Sequence, residues 1–125
     1  MIETRGLHHI HLVVRDAERA KQFYAEVFGM KELFRGGPKM IFLQTPGSRD
    51  LITLNEDARE HANAGRSGGI SHFGFQLAGG ATIDDAVREV ERAGGKLLSR
   101  GEHAPGVPFA YVADLDGYTI EIGNP

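Results

Sequence analysis

The chain has no cysteine among its 125 residues. Disulfide staples, thiolate metal sites and a cysteine nucleophile are therefore excluded. It also lacks any apolar run approaching the about 18 residues that a membrane-spanning helix needs. The opening MIETRGLHHIH has no apolar core of the kind a secretory leader carries. These absences lead to the expectation of a cytoplasmic chain with no membrane partner. Charge of one sign is missing too. Lysines and arginines are interleaved with acids and the net charge is −3, so there is no basic stripe for a nucleic-acid backbone and no nucleic-acid partner is expected. The remaining composition, 41% hydrophobic and 25% charged, is that of an ordinary globular chain. Its length suits one domain with a real core. The 17 glycines fit a fold of short strands and tight turns.

One pattern occurs twice. Residues 7–14 (LHHIHLVV) read as a strand. Asp16 is a good N-cap for a helix whose stripe is Ala20, Phe23, Tyr24, Val27 and Phe28, and Gly29 can close it in the left-handed conformation. Strands are predicted at 31–35, 40–45 and 50–55, separated by Gly36-Gly37-Pro38 and Pro46-Gly47-Ser48. The second half repeats this order. A strand at 70–77 is followed by a helix capped by Thr82, with stripe Ile83, Ala86, Val87, Val90 and Ala93 and a stop at Gly94-Gly95. Strands at 96–99, 109–113 and 117–123 complete it, with Asp114-Leu115-Asp116-Gly117 as a turn. The fold class is α+β, two βαβββ modules in a single domain over 1–125. Module one covers about 5–56, a polar linker with one helical turn about 57–69, and module two about 70–125. The 101–108 stretch (GEHAPGVP) reads as a Pro/Gly loop, and Arg49, Arg100 and His103 as solvated loop residues.

Three polar residues interrupt strands that otherwise read as core: His9, His72 and Glu121. Side chains alternate faces along a strand. Ile10, Leu12 and Val14 then face the first helix, and His9, His11 and Val13 face away. Phe73, Phe75 and Leu77 oppose His72, Gly74 and Gln76, while Tyr118, Ile120 and Ile122 oppose Thr119, Glu121 and Gly123. All three candidates thus fall on the face away from the helices. Two imidazoles and a carboxylate are a usual donor set for a divalent ion with open positions, and they do not choose among Fe, Mn, Co, Ni and Zn. Taken singly, each histidine also fits a plain structural role.

The segments GLHHIHLVVRDAERAKQFYAEVFGM, SHFGFQL and FAYVADLDGYTIEIGNP resemble the vicinal oxygen chelate superfamily of glyoxalases, bleomycin-resistance proteins, fosfomycin-resistance transferases and extradiol dioxygenases. The resemblance covers nearly the whole chain. It implies a curved mixed sheet, built from the paired modules, around a metal and substrate cavity. It also implies one divalent ion per site, a small-molecule substrate and a homodimer, with modules paired within a chain or swapped between chains. Carried over residue by residue, the ligands are His9, His72 and Glu121, with His8 turned to the helix face. The fourth position of the glyoxalase pattern falls on Thr53, a poor ligand, so the set is closer to the His-His-Glu of fosfomycin-type transferases and extradiol dioxygenases. Glu56 lies past the strand end.

Around this set His11 is a candidate base or a hydrogen-bonding neighbour. Tyr111 is a candidate for orienting substrate or an ordinary strand aromatic. Thr53, Gln76 and Gln44 are candidate substrate contacts. The expected function is a metal-dependent glyoxalase- or dioxygenase-like enzyme (isomerase, lyase or ring-cleaving). The alternative is a non-catalytic antibiotic-binding protein of the bleomycin-resistance type.

Overall fold

A computed structural model of the chain describes residues 1–124. It divides into two compact units, Met1–Ala64 and Gly65–Pro125. In the first, β1 (Ile10–Val13), α1 (Ala17–Phe28), β2 (Lys31–Arg35), β3 (Met40–Gln44) and β4 (Ile52–Asn55) follow one another, and a 3-10 turn (His61–Asn63) ends the unit. In the second, the order is β5 (Phe73–Gln76), α2 (Ile83–Arg92), β6 (Lys96–Ala104), β7 (Val107–Ala113) and β8 (Thr119–Gly123). Each unit is one βαβββ module. The strand orders are β1-β4-β3-β2 and β5-β8-β7-β6, with the first and last strands of each module paired in parallel.

Both helices start where a short polar side chain replaces the missing backbone acceptor. Asp16 accepts from the Arg19 N–H and Thr82 from the Asp85 N–H. Gly29 closes α1 at φ 68°. The helix stripe then buries Ala20, Phe23 and Tyr24 with Leu12, Ile41, Leu43, Ile52 and Leu54, and α1 packs on β3 and β4. In the second unit Ile83, Val87 and Val90 are buried with Ala110, Val112, Ile120 and Ile122, and α2 packs on β6, β7 and β8. Burial of each such aliphatic or aromatic side chain is worth about 1.5–3 kcal/mol.

Register fixes which residues share a face. In unit one Ile10, Ile52 and Leu43 form one row across the sheet, and His11, Thr53, Phe42 and Phe34 form the next. In unit two Phe73, Ile120, Val112 and Leu97 form the helix-side row. Gly74, Glu121, Tyr111 and Ser99 form the open-side row.

Three expectations need correction. β1 begins at Ile10 and β5 at Phe73, so His9 and His72 each stand one residue before a strand. The first ladder bond of β1 runs from Ile10 N–H to the Leu51 carbonyl. Before Leu51 the chain is still in the turn that Asp50 closes by accepting the Thr45 N–H, so residues 7–9 have no strand to pair with. Secondly, 101–108 is not a loop. β6 runs on to Ala104 and β7 starts at Val107, leaving a tight turn at Pro105-Gly106. Pro108 fits because β8 ends opposite Phe109, so Pro108 is flanked by β6 alone. Thirdly, Arg100 and His103 are therefore strand residues, not loop residues.

Two carboxylates lock local geometry. Asp114, only 6% exposed, accepts the N–H groups of Asp116, Gly117 and Tyr118 at 3.0, 2.9 and 2.9 Å. Gly117 completes this turn at φ 102°, a conformation open to glycine. The turn launches β8 and so sets where Glu121 falls. Glu56 accepts the Ala17 N–H at the start of α1 at 3.0 Å and pairs with Lys39. It therefore belongs to the helix side. The Ala17 bond, then Lys39, hold its carboxyl below the usual range.

Asp114→Ala strands three backbone donors and is expected to cost about 1–3 kcal/mol in urea unfolding. The Glu56 contribution has a definite sign. A depressed folded pKa gives stability that is present above the unfolded value of about 4.3 and is lost as pH falls through the lower folded value. Glu56→Gln is expected to flatten the acid limb of stability against pH relative to wild type, as read by denaturant midpoints from neutral pH downward.

Candidate functional site

β8 runs between β5 and β7, so the Glu121 backbone is paired on both sides. Its side chain projects on the face away from α2, in one row with Gly74 and Tyr111. A Cβ built on Gly74 would sit 3.0 Å from the Glu121 carbonyl oxygen and 3.4 Å from its Cβ. A Cβ on Gly123 would sit 2.9 Å from the Pro108 carbonyl oxygen. Glycine at both places keeps the sheet close-packed and leaves its open face without side chains. Beside Glu121 lies a recess of about 240 Å³ lined by Gly74, Gln76, His103, Glu121 and Gly123, among others.

Two imidazoles reach the Glu121 carboxylate. His72 Nε2 lies 3.6 Å from Oε2, and His103 Nε2 donates to Oε1 at 2.6 Å. The Tyr111 ring meets His72 edge-on at a centroid distance of 4.9 Å. The His103 ring stacks on Phe109 at 4.2 Å. Sequence reasoning missed His103 because Gly101, Pro105, Gly106 and Pro108 read as breakers. Strand alternation carried on from Ser99 and Gly101 would have put it on the Glu121 face.

In unit one His9 and His8 are exposed, their Nδ1 atoms 2.9 Å apart. With Gln44, Phe34, Phe42, Leu51, Arg5 and Arg49 they border an open recess. His11 is exposed on β1. Its row neighbour Thr53 is fully buried, and its hydroxyl has no hydrogen-bond partner among the described residues. Gln76 is exposed on β5 and lines the Glu121 recess. Thus His72, Tyr111, Gln76 and Glu121 share one face of unit two, whereas His9, His11, Gln44 and Thr53 belong to unit one. Among the described residues, no three His, Asp or Glu side chains form a ready-made metal cluster.

The donors nevertheless suit a divalent ion. His72 Nδ1 is engaged by Ser71 Oγ at 2.9 Å, and His9 Nδ1 by His8. When Nδ1 of each ring is the donor in these contacts, Nε2 carries the lone pair that a metal ion takes. Glu121 Oε1 is taken by His103 and Oε2 faces His72 Nε2. Their separation exceeds hydrogen-bond reach but is one that two ligands of a single ion can span.

The family model described as the Glyoxalase/Bleomycin resistance protein/Dioxygenase superfamily matches residues 6–122. The chain belongs to this superfamily. An uncharacterised Pseudomonas aeruginosa protein is 32% identical over 127 residues, which cover 95% of this chain and 89% of that protein. Among solved structures, a fosfomycin resistance protein from Listeria monocytogenes matches with TM-score 0.77 and 21% identity, over 100% of this chain and 95% of that one. An Agrobacterium tumefaciens lactoylglutathione lyase matches with TM-score 0.70 and 20% identity, over 97% and 94%. These likenesses establish the fold, two βαβββ modules. A variant of the Listeria protein is complexed with Mn(II) and a dihydroxypropylphosphonic acid, so a superfamily neighbour takes a divalent ion.

The glycine floor is testable apart from any ligand. Gly74→Ala must push against the β8 backbone and is expected to cost about 1–3 kcal/mol. Gly80→Ala, whose Cβ would meet nothing within 4 Å, is expected to stay within about 0.5 kcal/mol. Paired denaturant melts compare the two.

Proposed function

We propose that the protein is a metal-dependent superfamily enzyme in which His9, His72 and Glu121 hold one divalent ion against two neighbouring oxygens of a small substrate. The observation that carries this reading is the facing pair His72 Nε2 and Glu121 Oε2, each on a group whose other polar atom is already engaged. Bound there, a divalent ion supplies Lewis acidity toward a developing oxyanion. His11, exposed on β1, is the proposed base. Tyr111, against His72, orients a substrate oxygen. Gln76 lines the recess beside Glu121, Gln44 borders the recess beside His9, and both are proposed substrate contacts. Thr53 is fully buried, so its unpartnered hydroxyl is out of a substrate's reach in this structure and Thr53 is not among the proposed contacts.

The same reading includes a cytoplasmic homodimer. Its support is apolar exposure on both edge strands, with Leu33 and Phe34 of β2 52% and 49% exposed and Leu98 of β6 52% exposed. Such surfaces favour a partner. Light scattering coupled to size exclusion is expected to give twice the chain mass of 13.6 kDa.

Elemental analysis of untagged protein tests the central part. About one transition metal per chain is expected, with loss in His72→Ala, Glu121→Ala and His9→Ala. Iron then favours ring-cleaving dioxygenase chemistry, and manganese, nickel, cobalt or zinc an isomerase or lyase. Protein that takes up no divalent ion even after incubation contradicts the proposal and moves antibiotic binding without catalysis to first place.

A further inference from the structure

We propose that His103 is a positioning residue for Glu121: its Nε2–H clamps carboxylate oxygen Oε1, so that Oε2 alone is presented toward His72 and the ion. The inference rests on the metal reading above, because it concerns how that ligand is aimed.

Four observations carry it. The contact is close, 2.6 Å between His103 Nε2 and Oε1. It is divided between atoms, since His103 takes Oε1 and His72 faces Oε2. The clamp is itself held, because the His103 ring stacks on Phe109 with an interplanar angle of 17°, and Phe109 is paired through the backbone with Gly123, two residues beyond Glu121. Finally, the β6–β7 register shifts between Glu102 and Ala104, leaving His103 at an irregularity of the ladder. The irregularity falls where strand alternation from Ser99 and Gly101 brings His103 onto the Glu121 face.

An unclamped carboxylate at this place has two equivalent oxygens and three rotatable side-chain bonds above the Gly74 and Gly123 floor. Holding one oxygen removes that freedom before the ion arrives and prevents the carboxylate from chelating with both oxygens. Hydrogen-bonded partners of this kind typically change metal affinity by about 10–100-fold. His103 is 43% exposed in its side chain and Glu121 27%, and both line the recess.

The test uses Mn(II) as the probe, with binding followed by electron paramagnetic resonance and calorimetry at fixed pH. His103→Phe keeps a flat ring for the Phe109 stack but has no N–H. It is expected to weaken Mn(II) binding by about 10–100-fold, while circular dichroism and melting stay near wild type. His103→Gln, which restores a donor, is expected to recover most of the affinity, and it serves as the folded comparison if the Phe variant is unstable. The number of nitrogens coupled to Mn(II) is expected to be unchanged in both. Equal Mn(II) affinity in wild type and His103→Phe, with binding abolished by Glu121→Ala, overturns the clamp and leaves the metal site standing. Loss of one coupled nitrogen in His103→Phe also overturns it, because His103 would then be a ligand. Wild-type protein that binds no Mn(II), Fe(II), Ni(II), Co(II) or Zn(II) overturns both.

Discussion

Glu121 is fixed by its backbone before its side chain does anything. β8 is laid down between a parallel and an antiparallel neighbour, and it is launched by a turn in which one Asp114 oxygen gathers three N–H groups. Slippage of β8 by one residue would turn Ile120 and Ile122 out of the core and Glu121 into it. The row of buried Ile120 and Val112 with half-buried Phe73 therefore guarantees where the carboxylate points. Core packing on one face of this sheet and polar chemistry on the other are two readings of one register.

The open face is shaped as much by missing side chains as by present ones. Gly74 and Gly123 allow close strand contact and leave space above the sheet. His72, Tyr111, Phe109 and His103 surround that space with rings, and only Glu121 among them carries an acidic group. Within unit one, the corresponding row holds Thr53 between His11 and Phe42, a hydroxyl where unit two has a carboxylate. The two modules repeat in topology but differ in what they offer an ion. Glu56, the acid nearest this strand end, is committed to the start of α1 and to Lys39.

Much of this was legible in the sequence. The duplicated βαβββ order, both N-caps, Gly29 and the Asp114 turn follow from local chemistry that tertiary packing did not override. Alternation placed Glu121 on the face away from the helices because Ile120 and Ile122 left no other register. The failures were at ends. His9 and His72 were read into strands whose pairing had not begun, since a strand's start depends on a partner distant in sequence. His103 was assigned to a loop because glycine and proline mark turns in general, whereas here Gly101 gives room to the Phe109 ring and Pro108 stands where no ladder bond is required of it. Which atoms of each imidazole are engaged, and which carboxylate oxygen is free, depends on Ser71, His8 and His103 as neighbours. No residue pattern states that.

The central claim is that His72 Nε2 and Glu121 Oε2 face each other in order to share an ion. Anomalous diffraction from crystals grown with Mn(II) tests it most directly. The account predicts a single strong peak per chain bonded to both of these atoms, with Glu121 Oε1 remaining on His103. A peak elsewhere, or a His72–Glu121 contact unchanged and without a peak at saturating Mn(II), would contradict it.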